Sequence, residues 1–222
     1  SLTLALLADS GQRGLLTFSI GFESHGSIDG DEFLYSDLVA SEFGTDHHQI
    51  RIPSVDLPAA LQRAIGAMSE PMVSHDVVAF HLLSAEVARH VKVVQSGQGA
   101  DEVFAGYRWY PPMVELDDER SIAAAVDAYA AVFLDRDQAG IDALIEPEHH
   151  LDGEIARAFV QTHFARPGAT RAVDRALRLD TQVMLVDDPV KRVDNMTMAH
   201  GLEARVPFLD HELVELTATV PA

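Results

Sequence analysis

The sequence predicts an α/β protein, with helices flanking a parallel β-sheet in its first half and helices alone in its second half. Up to Gln95, apolar residues alternate between strand-like and helix-like spacing, a β–α–β rhythm typical of parallel sheets. An apolar, β-branched run then ends in a glycine loop at residues 96–99, at the strand end where such sheets bind ligands. After Pro111 and Pro112 only helical spacing remains, so we expect a helical second half.

The elements of the first half follow from the spacing of their apolar residues. Helical spacing predicts four helices, at residues 1–8, 31–43, 57–68 and 76–90. Strands are predicted at residues 15–21, 49–52 and 91–95. Leu34 and Leu38 lie at helical spacing in the second helix, and Phe80, Leu83 and Val87 share one face of the fourth.

The second half has the spacing of helices throughout. Five are predicted, at residues 121–134, 137–145, 153–165, 170–186 and 211–219. The first of them places Ile122, Val126, Tyr129 and Phe133 on one face. No strand is predicted beyond Gln95, and we expect the two halves to share one core.

Composition excludes several classes of function. The chain has 222 residues and a formal net charge of −19, which argues against binding to nucleic acid or to anionic membranes. It contains no cysteine, so disulfides, thiolate metal sites and a cysteine nucleophile are excluded within it. No apolar stretch is long enough to span a bilayer and no signal peptide is visible, so a cytoplasmic protein is expected.

The segment from Ser96 to Tyr107, SGQGADEVFAGY, carries the clearest chemical pattern. Its glycines let backbone N–H groups approach an anion closely, and the adjacent acids Asp101 and Glu102 can hold the cation that accompanies a polyphosphate. A tight turn bearing two solvated acids is the alternative interpretation of this pattern taken alone.

A second segment, VDDPVKRVDNMTMAHGLEARVPFLDHE at residues 186–212, favours the first of these interpretations. Together with SGQGADEVFAGY it closely resembles the C-terminal synthetase domain of the glutamine-hydrolysing asparagine synthetase family. The runs LLTFSIGF (residues 15–22) and EFGTDHHQI (residues 42–50) are similar to that family's second strand and to its G-T-x-H-H turn. The residues of the two long motifs look most like those of the N-acetylglutaminylglutamine amidotransferase branch.

The resemblance implies a fold and a domain arrangement. The fold is the ATP pyrophosphatase type, which is adenine nucleotide alpha-hydrolase-like. Residues 1–222 then form a synthetase domain that we interpret as an internal fragment. It lacks the family's N-terminal glutaminase domain, the SGGxDS pyrophosphate loop that precedes its first helix, and the C-terminal end.

The resemblance also implies an activity: an ATP-dependent ligase that activates a carboxylate as an acyl-adenylate for attack by ammonia derived from glutamine. ATP and Mg²⁺ are the implied cofactors. By match to the motifs, Ser96 and Gly97 contact the nucleotide, and the backbone of Ile20 contacts the adenine edge. Asp101 holds the metal ion, and Glu102 supports it or acts in catalysis.

One position departs from the family's asparagine-forming members, which have glutamate in the loop where this chain has Gln98. Glutamine keeps the shape but cannot accept a proton from an attacking ammonium at neutral pH, so a general-base role is excluded there. Three explanations stay open: ammonia arrives neutral, another group such as Glu102 takes the proton, or the substrate differs.

Asp188 matches a family aspartate that faces the ammonium group of the amino-acid substrate. It could equally be the N-cap of a helix that begins at Pro189. We expect the charged residues that follow to form a buried ion-pair network that seats the loop, rather than to take part in catalysis; they are Lys191, Arg192, Asp194, Glu203, Arg205 and Asp210.

Histidine is not expected to bind metal here, because adjacent residues of a strand, such as His47 and His48, point to opposite faces. The implied partners are a small-molecule acid, ammonia and the glutaminase domain of the same polypeptide, with a homodimer left open. Two other functions remain: an intramolecular amide-forming enzyme similar to β-lactam synthetase, which Gln98 leaves open, and a nucleotide-binding module without turnover.

Overall fold

The structure, a computed structural model, describes residues 1–23, 33–71, 74–116 and 121–220. In chain order, its α-helices are α1 (Leu2–Asp9), α2 (Phe33–Phe43), α3 (Leu57–Ala67), α4 (Val77–Val87), α5 (Ala100–Phe104), α6 (Tyr110–Glu115), α7 (Ile122–Phe133), α8 (Gln138–Asp142), α9 (Ile155–Phe164), α10 (Ala172–Leu179), α11 (Lys191–Met198) and α12 (His211–Thr217). Its strands are β1 (Leu16–Phe22), β2 (Asp46–Ile52), β3 (Val93–Gln95) and β4 (Glu203–Arg205).

The chain divides into two compact units. The first comprises Ser1–Gly97 and Asp188–Pro207 and contains the four strands with α1–α4 and α11. The second comprises Gln98–Asp187 and Phe208–Ala222 and contains the remaining helices. Each unit has a buried cluster of its own, whereas the sequence led us to expect one core shared by both halves.

The strands of the first unit pair in parallel, as predicted, but they do not form one sheet. β1 pairs with β2, from Leu16 opposite Asp46 to Phe22 opposite Ile52. β3 pairs instead with β4 in a separate two-stranded sheet. The prediction that no strand follows Gln95 is therefore wrong. Three residues are too few to show the alternation by which a strand is found in a sequence.

In the first unit, α3, α4 and α11 pack together around Ala64, Val77 and Met196. The buried stripe of α4 differs from the apolar face predicted for it, because it includes the polar residues His81 and Ser84. On α2, Leu34 and Leu38 are exposed, and the buried residues are Phe33 and Ala40. Apolar spacing found these helices without identifying the face that is buried.

The core of the second unit confirms the predicted face of α7, since Val126 and Tyr129 are buried and Ile122 and Phe133 pack against the same cluster. The short helices α5 and α6 were not predicted. Pro111 lies in the first turn of α6, where a missing N–H group costs no hydrogen bond, so the proline pair belongs to a helix. The buried cluster comprises Tyr110, Met113, Ala125, Val126, Tyr129, Val160, Phe164, Ala172, Val173, Ala176 and Leu179.

The predicted helix at 170–186 is α10 followed by two π-helical segments, Asp180–Met184 and Val186–Val190. Pro189 lies inside the second of these segments, so it does not begin a helix as expected. A wider turn accommodates the proline, because the ring and the absent N–H group disrupt regular α-helical hydrogen bonding.

Candidate functional site

The loop after β3 is open where the sequence places the nucleotide contacts. The backbone N–H of Ser96 donates to the carbonyl of Arg205, at 2.8 Å, which extends the pairing of β3 with β4. Gly97 is exposed, and a Cβ atom built there meets nothing within 4 Å. The first half of the loop is therefore anchored at Ser96 and accessible at Gly97.

The second half of the loop is closed by the other long motif. Gly99 is buried with a φ of +89°, and a Cβ atom built there collides with the side chain of Leu209. Five residues along, the ring of Phe104 meets that of Phe208 edge-on, with centroids 6.0 Å apart. Only glycine fits here, since both the φ angle and the space exclude a side chain. The two sequence motifs thus pack against each other within the second unit.

The adjacent acids of α5 have opposite environments. Asp101 is exposed, whereas Glu102 is only 2% exposed and its Oε1 accepts a hydrogen bond from the hydroxyl of Tyr107, at 2.8 Å. Burial raises the pKa of Glu102, against the opposing effect of the Tyr107 hydrogen bond. Asp101 is therefore the acid of this pair that is accessible to a cation. Gln98 is half-buried in the turn before them.

Sequence reasoning missed a buried carboxylate in the same unit. Asp180 is fully buried, and its Oδ2 accepts hydrogen bonds from Trp109 Nε1 at 2.9 Å and from the Tyr110 hydroxyl at 2.7 Å. Its Oδ1 accepts a short hydrogen bond from the Tyr129 hydroxyl. Burial raises the pKa of Asp180, although the three donors act in the opposite direction. The ring of Tyr107 stacks on Trp109, with centroids 4.2 Å apart, so this network extends to Glu102.

Two further predicted residues lie in the first unit. Ile20 is half-buried in β1 opposite Ile50, as expected for a side chain that serves packing. Asp188 lies inside a π-helical turn, so the N-cap interpretation is wrong. Both of its carboxylate oxygens lie 3.1 Å from Nη1 of Arg192, one helical turn further on.

Arg192 lies beside Asp188 and has several polar partners. Only 7% exposed, it donates to Asp188 and to the Ser74 hydroxyl, at 2.7 Å, and its guanidinium lies over the ring of Phe80. Asp76 Oδ2 lies 3.4 Å from the same nitrogen. Arg192 itself is buried, as predicted, but its ion-pair partners are not, because the side chains of Asp188 and Asp76 are 33% and 51% exposed. The contacts hold the Asp188 carboxylate beside Arg192.

The rest of the predicted network is not buried. Arg205 and Glu203 form an exposed ion pair at 2.7 Å, and Lys191 pairs with the exposed side chain of Glu70. Asp210 caps α12 by accepting hydrogen bonds from the backbone of Glu212 and Leu213. Asp194 is exposed as well, so these residues lie at the surface or cap a helix end and do not form a buried network.

The histidines of β2 have separate partners, as the strand geometry predicts. The ring of His47 bonds the hydroxyls of Thr17 and Ser19, whereas His48 stacks on Phe18. Among the described residues, no group of three or more histidine, cysteine, aspartate or glutamate side chains is arranged to hold a metal ion. Mg²⁺ commonly takes only one or two carboxylates and completes its shell with phosphate oxygens and water, so an exposed Asp101 fits that pattern.

A cavity of about 510 Å³ lies elsewhere in the second unit. Its lining carries no charged side chain and none of the predicted site residues. It is unsuited to a polyphosphate, which needs cations or N–H donors. In the described residues, no helix is long and apolar enough to cross a membrane.

Comparisons with known proteins extend over all or nearly all of the chain. Residues 1–222 match the family model described as asparagine synthase. A provisionally named glutamine-hydrolysing asparagine synthetase of Mycobacterium bovis is 27% identical over 249 residues, covering 100% of this chain and 38% of the relative. Asparagine synthetase [glutamine-hydrolyzing] 1 of Bacillus subtilis is 23% identical over 93% of this chain and 37% of its own length. The mouse asparagine synthetase is 25% identical over 95% of this chain and 28% of its own length. The chain thus spans less than two fifths of these relatives.

Proposed function

The chain belongs to the asparagine synthase family, and from that premise we propose that it forms the ATP-dependent, amide-forming part of a glutamine-dependent amidotransferase. The observation that carries this proposal is the family match over residues 1–222, in which the motif loop has an accessible Gly97 and an exposed Asp101. We also assign the fold to the ATP pyrophosphatase type on the strength of this match.

The proposed reaction has two steps. A carboxylate oxygen of the acid attacks the α-phosphorus of ATP, and pyrophosphate leaves. Ammonia then attacks the carbonyl carbon of the acyl-adenylate, AMP leaves and a proton is lost. A carboxylate is a poor electrophile, so the protein must stabilise the charge that develops on the departing phosphates.

The loop residues have distinct parts in this proposal. The N–H of Ser96 is occupied by Arg205, so Ser96 contacts phosphate through its hydroxyl, and Gly97 does so through its backbone. Asp101 holds Mg²⁺, which when bound neutralises phosphate charge. The backbone of Ile20 contacts adenine. The burial of Glu102 favours a supporting role over proton transfer, because a general base must come within hydrogen-bond reach of its proton.

Asp188 is proposed to face the acid substrate. Its charge is partly balanced by Arg192, although a third of its side chain stays exposed. Such a carboxylate attracts a substrate ammonium more weakly than an unpaired one does. This favours an acylated acid that lacks a free ammonium, in line with the N-acetylglutaminylglutamine branch.

Exchange of labelled pyrophosphate into ATP tests the proposal in the full-length polypeptide. We expect exchange that requires an acid, with N-acetylglutaminylglutamine more effective than aspartate. Asp101→Asn should reduce exchange by about a hundredfold or more, since a cation ligand acts directly on the phosphates. Glu115→Gln, at an exposed acid of α6, is the matched control and should retain exchange. Absence of exchange with every acid would refute the ligase proposal.

Gln98 leaves one alternative open, an intramolecular amide-forming enzyme similar to β-lactam synthetase, since the loop glutamate is absent from such enzymes too. Product analysis separates the two. Incorporation of ¹⁵N from glutamine or ammonia supports the amidotransferase, whereas a cyclised product without added nitrogen supports the alternative. A nucleotide-binding module without turnover would bind Mg-ATP and give no exchange.

A further inference from the structure

The turn that follows α5 folds back over the two acids of that helix. The helix ends at Ala105, which has a left-handed backbone with φ 56° and ψ 45°, and the N–H of Gly106 donates to the carbonyl of Asp101 at 2.9 Å. An alanine in this conformation is uncommon, because its Cβ approaches the neighbouring carbonyl. The turn therefore brings residues 106 and 107 back beside residues 101 and 102.

A side chain on the exposed Gly106 would meet the Asp101 carboxylate. A Cβ atom built on the glycine collides with Oδ1 of Asp101 and lies 3.0 Å from its Cγ and 3.1 Å from its Cα. The φ of Gly106 is outside the left-handed region, so alanine there would meet no backbone strain. The Asp101 carboxylate therefore occupies the space beside the glycine, and an added Cβ would have to displace it.

Tyr107 acts on the other acid. Its hydroxyl donates to Glu102, which is directed into the interior, and its ring is stacked on Trp109. Two consecutive residues of the turn, Gly106 and Tyr107, thus contact the two neighbouring acids of α5, which point in opposite directions. Asp101 lies exposed against Gly106, while Glu102 is held inside by Tyr107.

We propose that Gly106 is a positioning residue, which makes room for the Asp101 carboxylate in the orientation that holds a divalent cation, and that Tyr107 keeps Glu102 away from that cation. This inference rests on the proposed function, in which Asp101 binds the metal. It assigns roles to the G-Y pair at the end of the SGQGADEVFAGY motif.

Binding of Mn²⁺ to the full-length protein with α,β-methylene-ATP tests the proposal, measured by enhancement of water-proton relaxation. Gly106→Ala should weaken Mn²⁺ binding by about tenfold or more, as loss of a ligand-orienting contact typically does, and should approach the Asp101→Asn variant. Ala105→Gly changes the same turn without touching the carboxylate and should stay within about twofold of the wild type. The crystal structure of Gly106→Ala should show the Asp101 carboxylate displaced from residue 106, with α5 unchanged.

Each outcome decides between the two proposals. Wild-type affinity for Mn²⁺ in Gly106→Ala, or an unmoved carboxylate, overturns the positioning role and leaves the ligase proposal intact. Failure of Gly106→Ala to fold also overturns it, because the role assigned to Gly106 is local. If the variants bind Mn²⁺ in the expected order of affinity while the wild type shows no acid-dependent exchange of pyrophosphate into ATP, that result supports the positioning role and refutes the ligase proposal. If Asp101→Asn binds Mn²⁺ as tightly as the wild type does, Asp101 is not the metal ligand, and both proposals are overturned.

Discussion

Replacement of the buried Asp180 by alanine should strongly destabilise the second unit. The change leaves Trp109 Nε1 and the hydroxyls of Tyr110 and Tyr129 without their acceptor in a buried site. A buried unsatisfied donor costs about 1–3 kcal/mol, but rotating hydroxyls recover part of that loss. Three neutral donors lose their acceptor and no buried charge is left behind, so we expect a total loss of about 2–4 kcal/mol.

Asp180→Asn is the matched variant. Asparagine keeps an acceptor oxygen for Trp109 and Tyr110, and its amide can donate to the Tyr129 hydroxyl oxygen. It also removes the cost of burying a charge. We therefore expect a change within about 2 kcal/mol of the wild type at neutral pH.

The pH dependence has a definite sign. Burial raises the pKa of Asp180 in the folded state, so the folded state holds its proton more tightly than the unfolded state does. The contribution of Asp180 to stability is thus fully present below its unfolded pKa, near 4, and is lost as the pH rises through the folded pKa. Asp180→Asn should lack this decline.

Urea denaturation followed by fluorescence is a suitable assay, because Trp109 is the single tryptophan of the sequence and its indole contacts Asp180. The signal therefore reports the second unit. A loss below about 1 kcal/mol for Asp180→Ala would refute the reasoning, since buried donors without an acceptor cost more than that. So would an Asp180→Asn protein with the pH profile of the wild type.

Three other predictions concern stability. Gly99→Ala should lose about 2–4 kcal/mol to its positive φ and to overpacking, whereas Gly97→Ala, in open space, should lose less than about 0.5 kcal/mol on urea denaturation. Glu102→Gln should stabilise the protein more at about pH 8 than at about pH 5, because burial raises the pKa of Glu102; an equal effect at both pH values would contradict this. Burial and the neighbouring His200 lower the pKa of His81, so stability should fall as the pH drops below about 6.5. His81→Gln should show a smaller fall, and an unchanged acid limb of the stability curve would count against this assignment.

Much of the fold could be predicted from local pattern. Periodic apolar spacing identified the long helices and three of the four strands in the described residues, and the face of α7 that carries Val126 and Tyr129 was predicted correctly. The pattern failed where elements are short, as in α5, α6 and β4, and where polar residues such as His81 and Ser84 are buried. Apolar spacing cannot indicate a buried stripe with polar members, such as His81, whose ring lies 3.3 Å from that of the distant His200.

The candidate site was predicted in part. The motif placed Ser96 and Gly97 directly after a strand, and the structure agrees. It could not tell that Asp101 is exposed and Glu102 buried, because the difference is made by a turn five residues later. Asp180 was missed because α10 carries other charged residues nearby, and the donors that bond Asp180 lie 51 to 71 residues away in the chain.

The sequence by itself determined the family, the alternation of strands and helices in the first half, and the loop in which the proposed chemistry lies. Local patterns suffice for these, since they depend on residues near one another in the chain. Only the tertiary structure decided that β3 pairs with β4, that Leu209 covers Gly99, and which acid of α5 faces outward. These features depend on residues that are distant in the chain and that folding brings into contact. Two neighbouring carboxylates therefore differ in exposure because their contacts differ.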